Sequence, residues 1–297
     1  MADTTGVREQ TWAARAGRWF FPAVPAARVA VFRVFVYLFI IFDLFFGVND
    51  VIGHSYAPDL AQPLLLTRVL HLPGPSLALA YTLQWTIIVG CLVAASGWLP
   101  RLAGTVVAVA FTWWMLDSQG FGYVQHDHMA LVIATWVLPT AGLARFTDTH
   151  RTRAGGWALQ VVAIAVVATY FGSAISKWVR SGSPIAWANS AVFVWAIMRR
   201  GSGFIRWTLE YPWLLVIGQW ALLTAEFLAP VALWLKGRWL SLTVAFFFGF
   251  HLMTYLSLGI HFLPTVVCWL ALLPLEKLLP RHRAAARVSV AARPEPA

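Results

Sequence analysis

The sequence predicts an all-α integral membrane protein: a polytopic bundle of about eight transmembrane helices, with a further re-entrant or interfacial helix. Three observations predict it. Apolar runs recur from one end of the chain to the other, most of them near the roughly 20 residues that a helix needs to cross a bilayer. Of the 297 residues, 60% are hydrophobic and only 11% charged, well under the roughly 25% charged residues of a soluble domain. The mean hydropathy is +0.69. Within hydrocarbon a backbone must satisfy its own hydrogen bonds, and uninterrupted runs of this length do so as helices.

Taken in order, the runs fall at 29–48, 76–98, 103–118, 127–144, 156–177, 211–235, 239–257 and 260–276. The third and fourth are short and suit a tilted or partly buried helix. Arg8, Arg15 and Arg18 precede the first run, but no small-residue cleavage site follows a short apolar core, so the first run is expected to be retained. The stretch 49–75, with His54, Pro58, Asp59, Pro63, Pro73, Gly74 and Pro75, is expected to be an outer loop carrying a short helix. Ile185–Met198 is apolar but spans only 14 residues, too few to cross. The last residues, rich in Ala, Arg and Pro from Arg281, suit a disordered tail.

The positive-inside rule tests this arrangement. With eight spans and the N-terminus inside, Arg68, Lys177, Arg180, Arg199, Arg200 and Arg206 fall outside and Arg33 lies within the first span. The other fifteen of the 22 lysines and arginines fall inside. Letting Ile185–Met198 span would reduce fifteen against six to eleven against ten. The expectation is therefore a multi-pass protein of the inner (plasma) membrane with both termini cytoplasmic: an N-terminal segment 1–27, a membrane domain 28–278 and a tail 279–297.

A net charge of +10 would suggest nucleic acid in a soluble protein, but these charges sit between apolar runs and serve topology and lipid headgroups. None of the usual basic nucleic-acid motifs is present. Cys91 and Cys268 lie inside apolar runs as small hydrophobes, with no disulfide framework or zinc spacing. Trp98, Trp178, Trp187, Trp207 and Trp239 lie near span ends, as in an aromatic belt.

Ionisable side chains at membrane depth are costly and mark function. The candidates are Asp43 and Arg33 in the first span, His126, Asp127 and His128 at the start of the fourth, Lys177 closing the fifth, Glu226 in the sixth, His251 in the seventh and His261 opening the eighth. The topology points most of them to one cavity opening outward. Each also has a structural reading. Lys177 near a helix end can snorkel to the headgroups, Asp127 can cap the fourth helix, and Glu226 can bond a neighbouring helix. His126 and His128, two residues apart, point to different helix faces, which disfavours a metal pair, and no metal is expected. Arg33 and Asp43 lie about 15 Å apart along a helix, so each should pair across helices.

Five stretches in order, RVAVFRVFVYLFIIFD, QHDHMALVIATWVLPTAG, YFGSAISKW with its following WANS, AEFLAPVALWL and GFHLMTYLSLGIHFLP, resemble the membrane domain shared by vitamin K-dependent gamma-carboxylases and their bacterial relatives, the horizontally transferred transmembrane (HTTM) family. The resemblance covers roughly residues 28–278. It implies that Lys177 is the base that deprotonates a reduced, vitamin K-like quinone, that His128 helps hold the quinone oxygen, and that His251 is the histidine of the family's FH element. In that family the quinol then reacts with oxygen to give an epoxide and a strong base, which drives carboxylation of glutamate by carbon dioxide. Burial of a lysine makes a neutral amine available near neutral pH, and a histidine can hydrogen-bond the oxyanion of a quinol. Ser176 departs from the lysine that the carboxylases tend to carry there. They also continue into a soluble portion that docks the substrate peptide, whereas this chain stops at Ala297.

The expected function is therefore a quinol- or lipid-linked oxidoreductase or carboxylase-like enzyme. Lys177 and His128 are the catalytic residues, and His126, Asp127, His251, Glu226 and Asp43 bind the substrate. The alternative is a non-enzymatic membrane factor for maturation or export of a secreted peptide. A metal-dependent oxidase built on His126, His128, His251 and Glu226 is a third reading, without the repeated histidine boxes of such enzymes.

Overall fold

A computed structural model describes residues 12–280. The expected segment 1–27 is thus described only from Trp12, and the expected tail from Arg281 onward lies outside the described residues. The described chain is helical, apart from a two-residue antiparallel pair between β1 (Val24–Pro25) and β2 (Arg151–Thr152). Short α1 (Trp12–Phe20) precedes α2 (Ala26–Phe46). Two small helices, α3 (Asp50–His54) and α4 (Leu65–Val69), occupy the expected loop 49–75. Then come α5 (Leu77–Ser96), α6 (Pro100–Gln119), α7 (Met129–Ala141) and α8 (Arg153–Ser181). The remainder is α9 (Pro184–Trp187), α10 (Ala191–Arg200), α11 (Gly203–Arg206), α12 (Pro212–Leu228), α13 (Gly237–Leu258) and α14 (Leu263–Trp269).

Each apolar run forms a helix, but among the described residues five are long and apolar enough to cross a membrane: α2, α5, α8, α12 with its 3-10 extension to Leu233, and α13. The others fall short for local reasons. The run 127–144 yields only the 13 residues of α7, because a 3-10 turn at His126–His128 delays its start and Pro139 and Gly142 close it. The last run begins its helix only at Leu263 and leaves α-helical geometry after Trp269. The 20-residue α6 carries Arg101 and Asp117 and is less apolar.

The centre of the bundle is α2, which packs against α5, α7, α8 and α14. Its residues Val29, Phe32, Val36, Tyr37, Ile40 and Leu44 are essentially inaccessible and recur at the three- and four-residue spacing of one helix face. Both ends of α2 are pinned by polar contacts about 25–30 Å apart at 1.5 Å per residue. At the first end, Arg28 donates two hydrogen bonds to Glu276, 2.7 and 2.8 Å long, and Arg33 donates to the Ala144 carbonyl at 2.9 Å. There α8 runs so close that a Cβ at Gly156 would lie 1.6 Å from the Pro22 carbonyl oxygen. At the other end, the Trp114 indole donates to the Val48 carbonyl at 2.9 Å, and Ser118 donates to Asp50.

The apolar stretch Ile185–Met198, expected as one helix, is broken. Ser190 adopts a left-handed conformation, φ 76°, and the Asn189 side chain accepts from Ala191 N–H, so α9 and α10 are separate. The break turns Trp187 inward. It is 8% exposed, and its carbonyl accepts from the buried Gln219 amide at 2.9 Å. Trp187 is therefore a packing residue, whereas Trp98, Trp178, Trp207 and Trp239 are exposed.

The Arg28–Glu276 pair has a pH signature. The paired guanidinium outweighs burial and holds the Glu276 carboxyl below its ordinary range. A depressed folded value means that the contribution is present above the unfolded carboxylate pKa and is lost as pH falls through the folded value. Glu276→Gln is expected to cost on the order of 1–3 kcal/mol at pH 7. Thermal unfolding in detergent should show the difference from wild type vanishing in acid.

Candidate active site

Three polar contacts lie at the end of the bundle away from Arg28. The first is centred on Lys177, one turn before the end of α8. A snorkelling lysine would stretch along the helix toward Ser181 and the membrane surface. Instead Lys177 turns back into the bundle. Its Nζ donates to Ser173 Oγ, one turn earlier, at 2.9 Å and forms an ion pair with Glu226 of α12. Ser173 donates in turn to the other Glu226 oxygen at 3.4 Å. The ammonium lies 5.2 Å from the ring centre of Trp187, which shields it. Lys177 was expected to close its span, but α8 continues for four residues beyond it.

The second contact lies on the same face of α8. Tyr170, Ser173 and Lys177 stand three and four residues apart, so they stack on one face. Tyr170 Oη is hydrogen-bonded to His251 Nε2 on α13 and accepts from the Trp269 indole N–H at 3.1 Å. An indole only donates, so the phenol has its own proton for His251. Nδ1 of His251 is buried and has no hydrogen-bond partner among the described residues.

The third contact joins α2 to the turn before α7. His128, 3% exposed, has Nε2 at 2.9 Å from Asp43 and Nδ1 at 3.2 Å from Asp127. One imidazole thus bridges two carboxylates. The expected cap at Asp127 is not made: α7 starts at Met129 without a side-chain cap, because the 3-10 turn aims the Asp127 carboxylate at His128. Its carbonyl accepts from Thr265 of α14 at 2.8 Å. Gly47 makes room for Asp43, since a Cβ there would lie 2.1 Å from the carboxylate oxygen.

A cleft of about 610 Å³ opens beside these contacts, between the end of α2, α13 and the start of α14. Phe42, Phe46, Phe248 and Phe262 give it aromatic walls, and Asp43, His251, His261 and Tyr255 also line it. Lys177, Glu226 and His128 do not line it. His128 reaches the cleft through Asp43, and the α8 face reaches it through the Tyr170–His251 bond. His126 is exposed, with its ring 6.3 Å from that of Phe262 and within electrostatic reach of Glu226. Asp127 lies within the same kind of reach of His251.

Thus the structure places Asp43 with His128 and Asp127, and Lys177 with Glu226, while His251 stands between the groups. Arg33 lies at the other end of α2, bonded to a backbone carbonyl. No three His, Cys, Asp or Glu side chains are gathered for a metal among the described residues. Tyr170, Ser173 and Trp269 were not singled out from sequence. The spacing of Tyr170 and Ser173, seven and four residues before Lys177, is the signal that could have found them. Comparison with family models, curated proteins and solved structures gives no match, so the site stands on its own geometry.

Gly47→Ala is expected to push Asp43 off His128 and to destabilise the protein by about 1–3 kcal/mol, as overpacking does. In an Asp43→Ala background the same change should cost almost nothing, which denaturant unfolding of the four variants would show.

Proposed function

We propose that this chain is a membrane enzyme, carboxylase-like in the sense of the HTTM resemblance, that takes a proton from an amphipathic quinol- or lipid-type substrate, with Lys177 as the terminal base. The supporting observation is that Lys177, with its side chain 21% exposed, is turned toward the bundle by a carboxylate able to take its proton. An ammonium–carboxylate pair and an amine–carboxylic acid pair differ only in where one proton sits. When Glu226 accepts that proton, Lys177 becomes a neutral amine, kept in place by Ser173 and covered by Trp187.

A reduced quinone suits the cleft. Aromatic walls match a ring and an apolar tail, and the His251 imidazole lines the cleft beside them. His251, His261 and Asp43 would hold such a group, which supplies two ionisable hydroxyls and a pair of electrons when bound. Tyr170 and Trp269 hold the His251 ring in place, and Asp127 and Asp43 hold His128 beside the cleft. Since Lys177 does not line the cleft, proton transfer follows the α8 face that carries Tyr170 and Ser173. The proton taken from the substrate hydroxyl ends on the Lys177 amine, and the oxyanion stays in the cleft. The positive-inside count supports a plasma-membrane protein with cytoplasmic termini and this site toward the outer face.

The test is turnover of a naphthoquinol by the purified protein with oxygen, with and without a carbon dioxide source, and mass spectrometry of what it retains. Lys177→Ala should lower turnover by roughly 10²–10⁴-fold, the range of a lost general base, while keeping the bound ligand. His251→Ala should release the ligand. Full turnover by Lys177→Ala, or no quinone or lipid retained by the wild type, would overturn the proposal. A co-purifying secreted peptide without quinol turnover would indicate the maturation factor instead.

A further inference from the structure

The opposite flank of α13 carries a second feature, independent of the chemistry proposed for Lys177. A cavity of about 620 Å³ lies between α10, α11, α12 and α13. Another of about 370 Å³ lies between the end of α12 and the first half of α13. Both are lined by Ala225, Phe246 and Phe247, so they form one groove. From Trp239 to Leu258 it follows α13 for about 28 Å at 1.5 Å per residue, close to the ~30 Å depth of bilayer hydrocarbon.

Helices consecutive in sequence ordinarily pack on each other, but α12 and α13 are held apart along this groove. They are also the least buried of the five candidate spans. The walls are almost entirely carbon, and Gly218, Ala221 and Gly249 keep them low. One end is crossed by the chain from α10 to the turn before α12, of which Ile197, Ile205 and Thr208 line the groove. That same segment exposes Arg199, Arg200 and Arg206 against a single carboxylate, Glu210. The Nε of Arg206 is fixed on the Gly201 carbonyl at 2.8 Å.

We infer that this groove binds one acyl chain of an anionic phospholipid, with the phosphate at the Arg199–Arg206 end. The apolar length accommodates the hydrocarbon, and the arginine-rich segment selects the charge of the headgroup. The chemistry at that end is phosphate recognition, which a free phosphate would share.

Native mass spectrometry of the full chain, with an anionic diacyl phospholipid or its zwitterionic counterpart supplied, tests this. The wild type should retain one anionic lipid with about tenfold preference or more, from the attraction of three arginines. Replacing all three arginines by Gln, at exposed positions, should abolish the preference while a chain is still retained. Ala221→Phe should displace lipid of either charge. Inorganic phosphate alone should not raise the melting temperature. Equal retention of both lipids by the wild type, undiminished preference in the triple-Gln variant, or full stabilisation by inorganic phosphate would overturn the inference. So would Ala221→Phe converting a dimer to a monomer without loss of lipid, which would make a second copy the occupant.

Discussion

The structure of the candidate site depends on a lysine and a glutamate that cannot stand alone. At membrane depth an isolated ammonium or carboxylate is costly, and removing one partner of a buried pair strands the other. Lys177 and Glu226 therefore tie α8 to α12 at one point, and Ser173 closes the triangle. The direction of the Lys177 side chain follows from this. Reaching the membrane surface would have left Glu226 uncompensated, so the lysine folds back along its own helix. A contact of this kind holds two helices together.

The same constraint recurs on α2. Asp43 lies in the most apolar and most buried of the candidate spans and is tolerated because His128 reaches it from the turn before α7. Asp127 takes the other ring nitrogen. The third contact, His251 to Tyr170, is what fastens α13. That helix is buried only at Val244, Phe247 and His251, and Phe247 stacks on Trp269 with ring centres 4.5 Å apart. One narrow stripe thus holds α13 between two openings, the aromatic cleft on one flank and the apolar groove on the other. The polar contacts tie these helices together, and Asp43 and His251 bring two of them to the cleft.

Much of this was legible in the sequence, for a physical reason. A charged residue in an apolar run is conspicuous because it is expensive, and so Asp43, Lys177, Glu226 and His251 stood out. Their pairing was not legible. Lys177 and Glu226 are 49 residues apart, and nothing in local pattern says which helices meet. Tyr170 and Trp269 escaped notice because aromatic residues are ordinary in such runs, although Tyr170 sits two turns before Lys177. Helix positions followed the apolar runs, but lengths did not, since a 3-10 turn shortens α7 in a way that hydropathy does not report. The same turn converted Asp127 from an expected cap into a partner for His128. The break at Ser190 needed a left-handed residue that no apolar pattern announces, and it carried Trp187 from an expected belt to the cover over Lys177.

Lys177 is a part-buried residue whose position is set by Glu226. A double-mutant cycle measures this directly, using the uncharged replacements Lys177→Met and Glu226→Gln, singly and together, with unfolding free energy in detergent as the readout. Strong non-additivity is expected, with a coupling of about 1 kcal/mol or more and the double variant more stable than the two single costs imply. Additive costs, within about 0.3–0.5 kcal/mol, would mean that Lys177 is a surface anchor after all.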